Sequence, residues 1–413
     1  MTSQAFVIVG AGLAGGKAAE ALRGGGFDGQ ITLIGEEGHL PYERPPLSKE
    51  YLAGKAERDS VFVHDQAWYR DQEIDLRLGR PATAIDRAAR QVRLDDGARV
   101  PYDKLLIATG SSPRQLGDDA GVHYLRTIDE SDRLRDVLAT CSHLAVVGGG
   151  WIGLEVAAAA RQVGLQVTVV EGLELPLLRV LGREMAQVFA NLHRSQGVDL
   201  RLGVRIEGIS KNEGGGGTVT GGTVTGVLLA DGTRIEADAV VAGIGAIPRL
   251  SLATDAGLEV TDGIVTTAAL RTSDPDIFAA GDVASAYHPV LRRHIRVEHW
   301  ANALKQPAVA AAAMLGKDAS YEELPYFYTD QYDLGMEYVG HVGDGYDQMV
   351  VRGDLDAREF VAFWLKEGRV QAGMNVNIWD VTDSIKSLIR SGHPVNVGAL
   401  ADAGTPLEEL SPG

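Results

Sequence analysis

Cysteine is almost absent from this chain, since Cys141 is the only one among its 413 residues. A single thiol excludes an intrachain disulfide and a C-x-x-C redox pair. The chain therefore cannot carry out dithiol–disulfide exchange within itself.

Long apolar runs are also missing. The longest one spans residues 308–315, far short of the roughly 20 residues that a membrane span needs. No basic region precedes the first apolar stretch, which argues against a signal peptide. We therefore predict a cytoplasmic protein that does not enter the membrane.

Positive charge is in deficit, because the net charge is −17. Binding to nucleic acid needs a basic face, so a nucleic-acid partner is not expected. An acidic protein partner would have to meet a local basic patch, since long-range repulsion would otherwise slow encounter. Two clusters could form such patches, or could be ordinary solvated charge: Arg292, Arg293, His294 and Arg296, and Lys386 with Arg390.

Chemistry by a nucleophile or a metal is not indicated either. The ten histidines are scattered, and neither a Ser-His-Asp arrangement nor a spacing typical of metal ligands is evident. The sequence therefore predicts no metal site.

Glycine, in contrast, is abundant, and part of it forms two fingerprints for binding a dinucleotide. The first is Gly10-Ala11-Gly12-Leu13-Ala14-Gly15, which follows an apolar run at residues 6–9. Its glycines allow a tight turn, the approach of a pyrophosphate and close packing of a helix predicted at 13–23. Glu36 follows the next predicted strand, and its carboxylate can accept hydrogen bonds from both hydroxyl groups of a ribose. The alternative is a glycine-rich turn without a ligand.

The second fingerprint is Gly148-Gly149-Gly150-Trp151-Ile152-Gly153, again behind an apolar strand. The following helix, predicted at 152–163, carries Glu155. Glu171 ends the next strand, where a carboxylate binds the adenosine ribose of NAD and repels the 2′-phosphate of NADP. Arg161 and Arg179 could favour a phosphate, but neither directly follows Glu171. We therefore predict a preference for NADH.

Three further strands carry polar or glycine residues at their carboxyl ends. One ends at Thr109-Gly110, its counterpart ends near Gly245, and a third ends at Gly281-Asp282. Ligands in open α/β sheets bind at such ends. Asp282 is therefore expected to accept a hydroxyl group from a ribityl chain, although Gly-Asp alone is more often a turn.

This order of motifs predicts an α/β fold with two Rossmann-like dinucleotide-binding domains, the second inserted in the first as in glutathione reductase, and a C-terminal α+β domain. The predicted limits are 1–110 with 241–321, 111–240, and 322–413. Residues 214–226 read as a surface hairpin of the inserted domain. The third domain, with strands near 326–331 and 360–365 and a helix near 381–390, is expected to mediate dimerisation, cover the cofactor or dock a protein partner. Both a monomer and a homodimer remain open.

The most specific motif is Arg44-Pro45-Pro46-Leu47-Ser48-Lys49, supported by Leu125-Arg126-Thr127, Ala280-Gly281-Asp282 and the stretch 297–303. With these motifs the chain resembles, over essentially its whole length, the FAD-dependent, NADH-linked ferredoxin reductases of bacterial oxygenase systems. The resemblance implies that FAD resides at the first fingerprint and that NADH binds at the second as co-substrate. It also implies that a 2Fe–2S ferredoxin accepts single electrons and feeds a terminal oxygenase, either a Rieske dioxygenase or a cytochrome monooxygenase.

The resemblance also assigns residues to each cofactor. Lys49 and Glu155 would meet beside the flavin N5, where the cation stabilises the anionic reduced flavin; from spacing alone they would be an ordinary salt bridge or two unrelated surface charges. The residues implied for FAD are Gly12, Leu13, Ala14, Glu36, Arg44, Lys49, Ala82, Arg126, Asp282 and Trp300. The residues implied for NAD are Gly150, Ile152, Glu155, Glu171, Gly245 and Glu298.

Two other functions remain open at this point. Apoptosis-inducing factor carries similar motifs, so the chain could sense NADH, with slow reduction driving a change of shape and partner. The third hypothesis is that the chain is an NADH-dependent reductase of quinones or of monodehydroascorbate. The NADH peroxidases and oxidases of this fold need a cysteine just after the first nucleotide unit, and residues 45–49 hold none. Electrons are therefore expected to leave directly for an outside acceptor.

Overall fold

The computed structural model describes residues 4–116, 121–211, 224–343 and 345–410. The first of these ranges alternates strands and helices, and adds a short antiparallel sheet and two 3-10 turns at 45–48 and 58–61. Its elements are β1 (Ala5–Val9), α1 (Leu13–Gly24), β2 (Gln30–Ile34), α2 (Gln66–Asp71), β3 (Ile74–Arg77), β4 (Ala82–Asp86), β5 (Gln91–Leu94), β6 (Arg99–Pro101), β7 (Lys104–Ile107) and β8 (Ser111–Pro113).

A second unit of the same kind follows. Its elements are β9 (Val122–His123), α3 (Ile128–Leu138), β10 (His143–Val147), α4 (Trp151–Gln162), β11 (Gln166–Glu171), α5 (Leu178–Leu181), α6 (Arg183–Ser195), β12 (Asp199–Leu202), β13 (Ile206–Lys211), β14 (Val224–Leu229), β15 (Arg234–Glu236), β16 (Ala239–Ala242) and β17 (Ala246–Pro248). β10 lies in the middle of a parallel sheet of order β12-β11-β10-β16-β9. The predicted hairpin at 214–226 lies largely outside the described residues.

The chain then returns to the first sheet. This stretch contains α7 (Ser251–Asp255), β18 (Ile264–Thr266), β19 (Ile277–Ala279), β20 (Ala284–His288), β21 (Arg293–Ile295) and α8 (Trp300–Met314). β19 pairs in parallel with β7 and completes the order β19-β7-β1-β2-β3. All the strands of this sheet run parallel, and β1 is buried on both faces. Phe6 and Ile8 pack against α1 and α8, and Val7 and Val9 pack against the small sheet of β4 and β5.

The last quarter of the chain forms an antiparallel sheet of order β22-β23-β26-β25-β24 with two helices. Its elements are β22 (Tyr326–Gln331), β23 (Leu334–Gly340), β24 (Gln348–Asp354), β25 (Glu359–Lys366), β26 (Arg369–Val376), α9 (Thr382–Ser391) and α10 (Val397–Ala401), before a 3-10 turn at 407–410. One face of the sheet buries Phe360 and Trp364 against Phe189 of α6. The third sheet is thereby fixed to the second nucleotide-binding unit.

The predicted fold class is confirmed: two parallel sheets of the nucleotide-binding type, the second enclosed by the sequence of the first, precede an α+β unit. The first fingerprint helix, α1, begins at Leu13 as predicted, and the second, α4, begins at Trp151, one residue before its predicted start. The limits of the three domains stay a prediction. Within the described residues, no helix is both long enough and apolar enough to span a membrane.

Candidate functional site

A cavity of about 470 Å³ opens at the carboxyl edge of the first sheet. This volume lies in the range of small-molecule and cofactor sites. Its wall combines the first fingerprint, the segment 44–49, the start of α4 and two aromatic residues of β22, Phe327 and Tyr328. Other lining residues with predicted roles are Glu36, Ala82, Thr109, Gly110, Arg126, Trp151, Ile152, Glu155, Gly281, Asp282, Glu298 and Trp300.

The loop between β1 and α1 is shaped by its glycines. Gly10 has a φ of +116°, and a Cβ there would lie 2.1 Å from the carbonyl oxygen of Ala108. A Cβ on Gly15 would lie 1.9 Å from the carbonyl oxygen of Gly10. Gly12 precedes α1 and has no side chain to cap it, so the first N–H groups of the helix face the cavity. Such a helix N-terminus binds a phosphate group.

Arg126 and Asp282 form an ion pair on the cavity wall, with the Arg126 Nη2 at 2.5 Å from the Asp282 Oδ2. The Ser111 hydroxyl donates to the same carboxylate at 2.9 Å. Burial alone would raise the pKa of Asp282, but the charge of Arg126, these two hydrogen bonds and the charge of Arg44 hold it below its ordinary value. Asp282 therefore remains an ionised acceptor.

A capping box fixes the backbone at Arg126. Glu130 in the first turn of α3 accepts hydrogen bonds from the backbone N–H groups of Arg126, at 2.9 Å, and Thr127, at 2.8 Å. The Thr127 hydroxyl accepts in return from the Glu130 N–H. The guanidinium is thus held at the cavity by a local sequence signal, Thr-x-x-Glu.

Two polar atoms of the wall lack partners among the described residues. These are the Nε of Arg126 and the Nδ1 of His299, both buried. Burial lowers the pKa of His299 to about 4, so its ring is neutral near pH 7. Buried polar atoms are normally hydrogen-bonded, so the two atoms point to a large polar ligand with acceptor groups. FAD, with its pyrophosphate and its carbonyl oxygens, fits both atoms and the uncapped start of α1.

Glu36 also lines the cavity, where it forms an ion pair with Arg249. The Nε of Arg249 donates to the Ser112 hydroxyl at 2.7 Å. Both partners of the pair are about half exposed, and exposed pairs contribute little stability. The carboxylate can therefore exchange its arginine for ribose hydroxyls at small cost, which keeps the predicted role of Glu36 open.

Lys49 and Glu155 lie 2.8 Å apart, and both side chains are buried, with 9% and 4% of their surface exposed. Lys49 follows the 3-10 turn at 45–48, and Glu155 lies in the second turn of α4. Glu155 also accepts hydrogen bonds from Ser48, at 2.5 Å, and from Thr329, at 2.6 Å. The Lys49 ammonium lies 5.5 Å from the ring centre of Tyr328. The structure thus brings the predicted pair together, while its chemical role stays a prediction.

Aromatic residues cover the cavity beside this pair. The Trp300 Nε1 donates to Glu43 at 3.1 Å, and its ring stands perpendicular to that of Tyr328 with centres 5.9 Å apart. Trp151 packs edge-on against Phe327 at 5.0 Å and against Phe189 of α6 at 5.4 Å. The Trp151 ring therefore packs between α6 and β22 at the cavity wall.

The second fingerprint follows β10 at the carboxyl end of the second sheet. Gly148 has a φ of +102°, and the Glu171 carboxylate accepts hydrogen bonds from the N–H groups of Gly149 at 2.7 Å and Leu173 at 2.8 Å. Ile152 is 42% exposed, unusual for a large apolar residue. The residues of this fingerprint and its partners that do not line the cavity are Gly148, Gly150, Gly153, Glu171 and Gly245. They are the candidates for a second, separately bound dinucleotide.

The two predicted basic clusters carry less surface charge than their sequence suggests. Arg296 is only 16% exposed; its Nη1 lies 2.6 Å from Glu298 and also donates to the carbonyl oxygen of Asp282 at 3.3 Å. Lys386 pairs with Asp383 at 2.8 Å. Arg390 donates to the carbonyl oxygen of Glu322 at 2.9 Å. Arg296 is therefore an internal brace beside the cavity and not part of a surface patch, because its side chain is mostly buried and pairs with Glu298 and Asp262.

Several residues of the site were not anticipated from the sequence. They are Ser48, Ser111, Arg249, His299, Phe327 and Tyr328 in the wall, and Thr329, which bonds to Glu155 from behind it. Tyr328 and Thr329 lie in the aromatic run that predicted β22. Such a pattern predicts a strand, but it does not indicate which cavity the strand lies against. Burial is the main cause that raises the pKa of Tyr328 to about 12, so its hydroxyl stays protonated.

A buried histidine behind the cavity gives a pH-dependent stability. His193 is fully buried, and burial lowers its pKa from 6.5 to about 4. The unfolded chain therefore takes up a proton between pH 6.5 and 4 that the folded chain refuses. The contribution of His193 to the free energy of unfolding should be fully present above pH 6.5. As the pH decreases toward 4, this group alone should lower the free energy of unfolding by about 1.4 kcal/mol per pH unit.

Urea unfolding between pH 7 and 4 measures this slope. His193→Gln should reduce this slope by about 1.4 kcal/mol per pH unit and leave the part contributed by His299, whereas the same change at the exposed His393 should leave the slope intact. An equal slope in the wild type and His193→Gln would contradict the assignment.

The chain matches known proteins over nearly all its length. A family model described as pyridine nucleotide-disulphide oxidoreductase matches residues 4–307, and one described as reductase C-terminal matches residues 326–411. The anthranilate 1,2-dioxygenase system ferredoxin–NAD(+) reductase component of Burkholderia cepacia is 44% identical over 97% of this chain and 98% of that protein. Putidaredoxin reductase of Pseudomonas putida is 40% identical, over 98% and 96%.

Solved structures agree with these matches. The covalent putidaredoxin reductase–putidaredoxin complex superposes with a TM-score of 0.94 at 39% identity, covering 99% of this chain and 98% of that one. The ferredoxin reductase for the CYP199A2 system of Rhodopseudomonas palustris gives 0.92 at 36% identity, covering 99% and 100%.

Proposed function

This chain belongs to the pyridine nucleotide-disulphide oxidoreductase family, and from that premise we propose that it is an FAD-dependent NADH:ferredoxin reductase. It oxidises NADH and passes single electrons to a 2Fe–2S ferredoxin that serves an oxygenase. The observation that carries the proposal is the buried Lys49–Glu155 pair in a cavity that joins the two glycine fingerprints. The full-length similarity to reductases of oxygenase systems supports it.

The position of the single thiol supports an outside electron acceptor. Cys141 follows α3, is half-buried and is not part of the cavity wall. Burial, with the nearby charge of Asp238, raises the pKa of its thiol, which makes it a poor nucleophile. A disulfide relay within the chain is therefore excluded, and electrons must leave from the cavity itself.

FAD held in this cavity would supply the chemistry that links two-electron oxidation of NADH to one-electron transfer. The protein's part is to bind, orient and provide charge. The N-terminus of α1 and the guanidinium of Arg126 face the site of the pyrophosphate, and the Asp282 carboxylate accepts from hydroxyl groups. Each of these groups is held in place before the ligand arrives, which reduces the cost of reorganisation.

Lys49 supplies a fixed positive charge at the end of the cavity nearest to α4. In a buried site such a charge acts more strongly than in water. The Glu155 carboxylate offsets the cost of burying the ammonium and fixes its direction, since the two groups are in contact. Trp300 and Tyr328 exclude water from one side of the pair. The arrangement favours a ligand that gains negative charge during the reaction.

The test is an assay of purified, FAD-loaded protein with NADH, a 2Fe–2S ferredoxin and cytochrome c. Cytochrome c reduction should depend on ferredoxin and saturate with it, while ferricyanide reduction should not need ferredoxin. Slow reduction with a long-lived charge-transfer band would instead identify an NADH sensor. Rapid turnover with a quinone and none with ferredoxin would identify a small-molecule reductase.

Preference for NADH should depend on Glu171. Because its carboxylate already binds two backbone N–H groups, replacement by alanine would also disturb the glycine loop. Glu171→Gln keeps the shape and one acceptor and removes the charge that repels a 2′-phosphate. We expect the ratio of kcat/KM for NADH over NADPH to fall about tenfold, as for loss of one charge contact.

Steady-state kinetics with both nucleotides measures this ratio. Glu174→Gln, at an exposed carboxylate that pairs with Arg183, serves as the matched control. An unchanged ratio in Glu171→Gln would assign the discrimination to other residues.

We also propose that the protein works in the cytoplasm. The NADH donor is supplied in that compartment.

A further inference from the structure

A line of hydrogen bonds runs from α6 to the Lys49–Glu155 pair. His193 Nε2 lies 2.8 Å from the Gln331 Oε1, and the Gln331 Nε2 lies 3.1 Å from the Thr329 Oγ1. The Thr329 hydroxyl donates to the Glu155 Oε1 at 2.6 Å, the oxygen that Lys49 also contacts. His193, Thr329, Gln331 and Glu155 are all buried. We call His193, Gln331 and Thr329 the relay.

The geometry gives the relay one direction. Because Gln331 donates to Thr329 through its Nε2, its Oε1 must accept, and the neutral His193 must donate from its Nε2. The His193 Nδ1 is then the acceptor, 3.4 Å from the Tyr332 hydroxyl. The Thr329 hydroxyl accepts from Gln331, so its own proton goes to Glu155. Every donor thus points toward the carboxylate.

We propose that the relay is a positioning device for Lys49, an inference that rests on the proposed function. Hydrogen bonds that share one direction polarise and strengthen each other. The hydrogen bonds from Ser48 and Thr329 therefore hold the Glu155 side chain in one position. The carboxylate in turn fixes the Lys49 ammonium, with its remaining N–H groups free to face the cavity.

Burying the polar side chains of the relay costs free energy, and positioning the Lys49–Glu155 pair would account for that cost. A buried line of polar groups is stable only when every member is satisfied, and apolar side chains could fill the same space between α6 and β22. That space adjoins a large apolar cluster containing Phe189 and Met336. Phe327, Thr329 and Gln331 are spaced by two and lie on one face of β22, so this face supplies both a residue of the cavity wall and the relay.

Thr329→Val tests the proposal, because valine keeps the shape and removes only the hydroxyl. We expect the rate of flavin reduction at saturating NADH to fall about tenfold, the factor of one charge-assisted hydrogen bond. The KM for NADH should change little, because His193, Gln331 and Thr329 are not themselves among the residues implied to contact NAD. The midpoint potential of the bound FAD should shift in the negative direction, since a misplaced ammonium stabilises the reduced form less.

Two variants serve as controls. Thr329→Ser retains the hydroxyl and should restore rate and potential to near wild-type values. Thr168→Val removes another buried threonine hydroxyl, which lies 2.9 Å from His143 in the second sheet, and should affect neither. A wild-type rate and potential in Thr329→Val, or equal losses in Thr329→Val and Thr168→Val, would overturn the proposal.

Gln331→Leu interrupts the relay one step further from Glu155. It should shift the potential in the same direction as Thr329→Val but by less, and the double variant should show no additional shift. Additive shifts would mean that the residues act separately, and would contradict the relay. Because reduction by NADH and the flavin potential are measured without ferredoxin, these results stand even where ferredoxin proves not to be the acceptor.

Discussion

Replacing Lys49 by methionine should slow the NADH-driven bleaching of flavin absorbance about a hundredfold, the usual loss when one preorganised electrostatic contact is removed from an active site. Methionine keeps the length and the apolar stem of lysine, so the cavity keeps its shape. Glu155 still accepts from Ser48 and Thr329 and is not left unsatisfied. The protein should therefore fold and retain its FAD.

Stopped-flow absorbance at 450 nm after mixing with NADH, about the wavelength of the oxidised flavin band, measures the rate. Lys55→Met is the matched control, because Lys55 is exposed, its ammonium donates to Gln162 at 3.0 Å, and it is not among the residues that line the cavity. Its rate should equal that of the wild type. An unchanged rate in Lys49→Met would reduce the pair to a structural salt bridge.

Replacing Gly15 by alanine should reduce FAD content about tenfold or more. The new Cβ would lie 1.9 Å from the carbonyl oxygen of Gly10, a backbone atom that cannot move without opening the turn at the start of α1. Overpacking of this kind costs about 1–3 kcal/mol or more, and here it falls on the loop that faces the pyrophosphate. The purified protein should be nearly colourless.

The ratio of absorbance at the flavin band to that of the protein band gives the occupancy. Gly24→Ala lies in the same helix, where an added Cβ meets no atom within 4 Å, and it should keep full occupancy. Equal occupancy in the two variants would show that the turn tolerates a shift of α1.

The glycine fingerprints could be placed from sequence because their signal is local. A positive φ at Gly10 and the close approach of Gly15 to the preceding turn both depend on neighbours within a few residues. The same holds for α3, since Thr127 and Glu130 form its capping box without help from elsewhere. In such cases the pattern and the physical requirement lie in one short segment.

Other parts of the site depend on contacts between distant segments. Glu36 and Arg249 are 213 residues apart, and nothing near either residue indicates their pairing. Thr329 and Gln331 sit in an ordinary strand pattern, and only the packing of β22 against α4 and α6 gives them a role. Arg296 looked like surface charge because its carboxylate partners, Asp262 and Glu298, are recognisable only after folding.

The Thr329–Glu155 hydrogen bond has a consequence for the order of events during synthesis. It joins residues 174 positions apart, so the pocket that begins with β1 is completed only when β22 has emerged from the ribosome and docked. Contacts of such separation form late in folding. A nascent chain would thus expose the flavin side of its first nucleotide unit until almost the end of translation. Premature termination before residue 326 should yield a protein that has both glycine loops but whose cavity is open to water where β22 would cover it.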